Sequence, residues 1–131
     1  MAGGGKRVLD VGQCRPDHHA MRSVLVSWFG VEVDQAHSAA EALATLDQTH
    51  YDLVLVNRLL DVDHSPGLEL IRAIRREPKL SQIPVMLISN QEDAQEAALQ
   101  AGAVRGFGKA ALTHPATQAL LKPYLDLTAW A

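Results

Sequence analysis

Tyr51 to Asn57, Y-D-L-V-L-V-N, is an unbroken apolar run that closes on an uncharged amide and is followed by Arg58. A run this short, rich in β-branched residues and set between helical patterns, reads as the central strand of a parallel sheet, covered on both faces. In open α/β sheets ligands bind outside the carboxyl ends of the strands, where neighbouring connections leave to opposite faces. Asn57 and Arg58 therefore stand where function is expected, and no ionisable acceptor is there.

Outward from this strand the hydrophobic period alternates between two and 3.6. Upstream, Arg7 to Val11 reads as a strand, and Pro16 opens a helix to about Phe29 with Met21, Val24, Leu25 and Trp28 inward and Gly30 as its stop. Val31 to Ala36 alternates apolar and acidic residues, which predicts an edge strand wet on one face. Ser38 and Glu41 form a capping box that starts a second helix. Downstream, the loop L-L-D-V-D-H-S-P-G is long for a βα connection, where about 2 to 6 residues are usual, and loops that outgrow their connecting task often carry function. Gly67 to Glu77 then reads as a helix stopped by Pro78, Ile83 to Ser89 as a fourth strand and Asn90 to Ala101 as an Ala-lined helix of small buried area. Val104 to Phe107 follows as a short fifth strand. Leu112 opens a last helix, and Pro123 is expected to kink or break it near Ala119 to Lys122. Five strand–helix alternations imply a doubly wound parallel α/β sheet with right-handed crossovers.

The 131 residues fit one domain, with residues 1–5 as a flexible lead-in. At 47% hydrophobic and 21% charged, with no run near the roughly 20 apolar residues of a membrane span, the chain reads as soluble, without a signal peptide, and cytoplasmic. A formal charge of -3 excludes a broad nucleic-acid surface. The one basic cluster, Arg72, Arg75, Arg76 and Lys79, has helical spacing and reads as a solvated face. Cys14 is the only cysteine, so neither a disulfide nor a multi-cysteine metal site is available.

In this order, V-L-D-V-G-Q, P-D-H, Y-D-L-V-L-V-N, G-L-E-L-I, I-P-V-M-L-I-S and A-G-A followed by Lys109 resemble the receiver domain of bacterial two-component response regulators, over nearly the whole chain. The resemblance implies a flavodoxin-like (βα)5 domain with strand order 2-1-3-4-5. It also implies an acidic pair after the first strand and an aspartate ending the third, which together hold Mg²⁺, that aspartate taking a phosphoryl group. Here the acidic pair falls on Gly12 and Gln13 and the phosphoacceptor on Asn57. Mg²⁺ binds through carboxylates plus phosphate and water, and an amide lacks the nucleophilic carboxylate of an acyl phosphate. The hydroxyl and lysine positions survive as Ser89 and Lys109. The aromatic position falls on Gly106, with Phe107 one place on, the proline after the lysine is Ala110, and the loop to Gly67 is longer than the family pattern.

The expectation is a signalling domain, not an enzyme, with neither metal nor cofactor, that acts through a protein partner or as a homodimer. Its contact surface is expected on the fourth helix, fifth strand and fifth helix, around Gly106 and an exposed Phe107. Lys109 must point to water or find a new carboxylate, since a buried unpartnered ammonium is costly. Asp10, on the side of Gly12 and roughly 6.6 Å deeper along the strand, is the candidate to compensate for the lost pair; pairing with a helix group or backbone N–H is the alternative. Other expectations are a metal or reactive thiol at Cys14 with His18 and His19, although the position six after Cys14 is Ala20 and not the arginine of a phosphatase loop. A rebuilt phosphorylation, metal or small-anion site could instead use Asp61, Asp63, Lys109 or Cys14. Against these stand a histidine on an exposed first turn and a solvated acidic loop.

Overall fold

A computed structural model describes residues 5–126 of the chain. Of the lead-in, residues 1–4 lie outside the described residues. The elements follow in strict alternation: β1 (Arg7–Val11), α1 (Arg15–Phe29), β2 (Glu32–Ala36), α2 (Ala39–Gln48), β3 (Leu53–Asn57), α3 (Gly67–Arg76), β4 (Val85–Ile88), α4 (Glu92–Gln100), β5 (Val104–Phe107) and α5 (Pro115–Leu125). All pairings are parallel, in the order β2-β1-β3-β4-β5, so β3 is central and β2 is an edge, as its alternating pattern predicts.

Side chains of successive strand residues point to opposite faces, and the core divides accordingly. Leu9, Val11, Val54, Val56, Val85 and Leu87 pack on the face covered by α2, α3 and α4. Val8, Leu53, Leu55, Met86, Ile88 and Phe107 pack beneath α1 and α5, against Met21, Leu25, Leu121 and Leu125. Asp10 shares the parity of Val8, so its carboxylate enters the layer below α1.

Local chemistry sets the ends. Gly30 stops α1 in a left-handed conformation (φ 66°), and its N–H returns to the Val26 carbonyl. Ser38 Oγ accepts from Glu41 N–H at 3.1 Å, and Glu41 Oε1 accepts from His37 N–H at 2.7 Å, so the reciprocal half of the box reaches one residue further back. Two expectations are corrected. The last helix begins at Pro115, after a short turn over Lys109–Ala111, and not at Leu112. It is also not broken at Pro123: the helix continues to Leu125, the ring sitting in the closing turns, where losing one N–H leaves Leu121 and Leu125 buried.

The basic cluster is largely used within the fold. Arg72 pairs with Glu69 at 2.6 Å and Lys79 with Asp47 at 2.8 Å, while the Arg75 guanidinium donates to the carbonyls of Ser81 and Ile83. Arg72 and Lys79 are thus neutralised by carboxylates on the solvated side, and Arg75 turns inward to backbone carbonyls.

β4 and β5 fall out of step. Met86 stands opposite Val104, but Ile88 stands opposite Phe107, so β5 carries an extra residue. Gly106 lies so close to β4 that a Cβ there would sit 2.1 Å from the Leu87 carbonyl oxygen, so only glycine fits. The gap is bridged by a residue of α4. Gln95, 3% exposed, donates from Nε2 to the Leu87 carbonyl at 2.9 Å and to the Ser89 carbonyl at 3.1 Å, and its Oε1 accepts from Gly106 N–H at 3.0 Å.

Candidate functional site

The carboxyl ends of β1, β3, β4 and β5 converge on Gly12, Asn57, Ser89 and Lys109, as the sequence places them. Their geometry is closed on itself. Asn57 Nδ2 donates to the Gly12 carbonyl at 3.0 Å, and Asn57 Oδ1 accepts from Arg58 N–H at 3.0 Å. The same Gly12 carbonyl takes Asp61 N–H at 3.0 Å, and Gly12 N–H is tied to Ala36 at 2.8 Å. Thus the amide at residue 57 holds the ends of β1 and β3 together, a bond that a carboxylate could not donate.

The long loop folds inward. Leu60 N–H bonds the Ser65 carbonyl at 2.9 Å, Gly67 N–H bonds the Arg58 carbonyl at 2.8 Å, and Leu59 bridges Pro66, which pins the loop at its neck. Leu60 is thereby driven into the core at 0% exposure, over Gly12. A Cβ on Gly12 would lie 2.4 Å from Leu60 Cδ2 and 2.9 Å from Leu60 Cα, and Gly12 has φ +80°. This residue went unnoticed in the sequence, where Leu59 and Val62 in the same loop look alike and only the fold separates the buried Leu60 from them.

Gln13 is wholly buried, and its side-chain amide has no well-formed hydrogen bond among the described residues. Asp10 is also wholly buried, and its Oδ2 shares a hydrogen bond with His18 Nδ1 at 2.7 Å. Burial pushes the Asp10 carboxyl above its ordinary value, opposed by the His18 bond and charge and, more weakly, by the nearby Gln13 amide and the Lys109 charge. Asp10 is therefore not the carboxylate that replaces the acidic pair at Lys109. That partner is Asp17, on the first turn of α1: Lys109 Nζ donates to its Oδ2 at 2.7 Å, both groups partly exposed. The lysine, aided by the Cys14 thiol, holds the Asp17 carboxyl below its usual range. Asp17 sits in the P-D-H stretch, visible in the sequence as a helix-dipole residue only.

The buried Asp10 has a pH consequence. Its folded-state pKa lies above the unfolded one, so below the unfolded value both states carry the proton and nothing is lost. As pH rises through the window between the two values the unfolded chain releases the proton first, and stability falls. Asp10→Asn, which keeps an acceptor for His18, is expected to remove that loss. In urea unfolding from pH 4 to 7 the variant should gain on the wild type with rising pH; a constant difference across the range would refute the assignment.

The remaining candidates separate. Ser89 Oγ accepts from Gln91 N–H at 3.1 Å, while Ser89 N–H and the Ser89 carbonyl are taken by Phe107 and Gln95, so the hydroxyl oxygen helps to start α4 and its O–H faces the cleft. Phe107 is 6% exposed and packs beneath α5, and Gly106 is buried. The exposed Phe107 patch expected from the sequence is absent, because the extra residue in β5 turns that ring inward. Asp61 pairs with His37 at 3.2 Å and Asp63 is bound by Ser65 at 2.7 Å; neither approaches Lys109 within bonding distance. Cys14 is exposed before α1, His18 is committed to Asp10, and among the described residues no three His, Cys, Asp or Glu side chains gather to hold a metal. Magnesium does not fit these residues: the carboxylates it needs are missing, and Leu60 fills the place beside Gly12 where one would extend.

Residues 16–124 match the response regulator receiver domain family. No curated protein matches the chain. Among solved structures, the chain is similar to the receiver domain of a DNA-binding response regulator of Colwellia psychrerythraea 34H (19% identity, 90% of this chain and 96% of that one, TM-score 0.77). A two-component response regulator of Clostridium difficile aligns at 19% identity over 91% and 94% of the two chains, with a TM-score of 0.75. The chemotaxis response regulator CheY4 of Vibrio cholerae aligns at 20% identity over 92% and 99%, with a TM-score of 0.73. At such identities the likeness carries the fold alone.

Proposed function

Because the chain belongs to the response regulator receiver domain family, we propose that it is a two-component signalling domain whose output rests on protein contacts, not on aspartyl phosphate or magnesium. One observation carries this reading: Asn57 and Leu60 together close the Gly12 end of the cleft, the amide bonded to Gly12 and the leucine packed over it. The domain performs no catalysis in this reading. No helix among the described residues is long and apolar enough to cross a membrane; we place the domain in the bacterial cytoplasm.

Incubation with a small-molecule phosphodonor and Mg²⁺, followed by intact mass, is expected to show unmodified protein. An adduct of about 80 Da on any residue, including Asp61, Asp63 or Cys14, would overturn the reading. Asn57→Asp is expected to stay unmodified as well, since the acidic pair is still missing. That variant loses the Gly12 bond and sets a carboxylate against a carbonyl, which costs about 1–3 kcal/mol.

A further inference from the structure

The polar cleft does not end at the strand termini. Its walls are formed by Asn57, Arg58, Ser89, Asn90 and Lys109, around about 300 Å³. Arg58 and Leu59 also line a second depression of about 370 Å³ between the loop and α4, whose floor is apolar: Leu59, Pro66, Leu68, Ala94 and Ala97. The two share residues and form one groove with a polar head and an apolar trough.

The charge of the head is specific. Its lining contains Arg58 and Lys109 and no carboxylate. Lys109 is half neutralised from outside by Asp17, but the Arg58 guanidinium is exposed and has no hydrogen-bond or ion-pair partner among the described residues. The N-terminus of α4 adds the positive end of its dipole to the same wall. An acidic residue, Asp93, appears only in the trough, on the α4 rim. A cationic head and a trough with one acidic rim give the groove a direction.

Resting on the protein-contact reading above, we propose that this groove is the partner site and takes an extended segment of a partner protein. The segment presents a carboxylate followed closely by large apolar side chains. The carboxylate pairs with Arg58 in a bidentate contact, within reach of Asn57 and Ser89. The apolar side chains cover Leu59, Leu68 and the alanine face of α4. The small size of Ala94 and Ala97 leaves the trough open, and the pinned neck of the loop, Leu59 against Pro66, holds one wall ready. A free anion would use the head alone and leave the apolar trough wet. That trough is what points to a peptide.

Selection of a phage-displayed random peptide library on the full chain tests this. The expected consensus is an acidic residue with a large apolar residue within three positions. Arg58→Glu should weaken the selected peptides about tenfold or more, and library selection on Arg58→Glu should recover basic–apolar sequences instead. Ala97→Arg, at a half-buried position that lines the trough, should weaken them by a similar factor. Peptides lacking an acidic residue, or insensitive to both changes, would overturn the proposal. So would inorganic phosphate binding as tightly as the peptides with Ala97→Arg silent, which would make the head a free-anion site. The protein-contact reading fails separately, on a phosphoryl adduct in the mass measurement.

Discussion

Gly12→Ala is expected to destabilise the domain by about 2–5 kcal/mol, the sum of a left-handed backbone penalty and an overpacking penalty. Gly12 has φ +80°, a conformation that costs an L-residue about 1–2 kcal/mol. The new Cβ would meet Leu60 Cδ2 at 2.4 Å and Leu60 Cα at 2.9 Å. The side-chain contact could be relieved by a rotamer change, but the second is backbone, and that backbone is held by Leu60 N–H on Ser65 and Asp61 N–H on Gly12 itself. The strain cannot leave without opening the loop. Urea unfolding reads the loss directly; a change below about 1 kcal/mol would mean the loop is free to lift. The consequence for function is that the acidic pair cannot be restored by substitution. Gly12→Asp with Gln13→Asp and Asn57→Asp should bind no Mg²⁺ by calorimetry, because the first carboxylate has no room.

Gln95→Leu is expected to cost about 3–4 kcal/mol, although it is close to isosteric and adds apolar surface. It strands the carbonyls of Leu87 and Ser89 and the N–H of Gly106, each worth about 1–3 kcal/mol when buried without a partner, less the gain from the leucine. β5 cannot close the gap by shifting register, since Ile88 already faces Phe107 and there is no room against Leu87 for any residue but glycine at position 106. The loss should be local before it is global. Amide exchange at Gly106 and through α4 should accelerate more than in the core of β1 and β3. Equal acceleration everywhere, or none at Gly106, would show that Gln95 is not the clamp. This bond set adds polar anchoring to the small apolar area that α4 buries.

Much of this molecule was legible from pattern. The apolar run at 51–57 marked the centre of the sheet, alternation at 31–36 marked its edge, and Gly30, Ser38 and Glu41 marked helix ends, because each is a local consequence of periodicity or of a backbone group needing a partner. That Asn57, Ser89 and Lys109 line one cleft was implied by the family resemblance of the motifs that carry them. What each side chain touches there was not. Leu60 entering the cleft, Asp17 reaching Lys109 across 92 residues, and Phe107 turning inward depend on loop closure and on one extra residue in β5, neither of which leaves a period.

The order of residues along this chain was enough to determine a five-stranded parallel sheet and the uncharged character of residues 12, 13 and 57 at its carboxyl edge, because hydrophobic period and residue charge are local properties. Only the folded arrangement decided that the space beside Gly12 is taken by Leu60, that Asp10 belongs to His18 and Lys109 to Asp17, and that Arg58 is the cleft cation without a partner among the described residues. Those are choices among competing partners distant in sequence, made by which pairings leave the fewest buried groups unsatisfied once the core has closed.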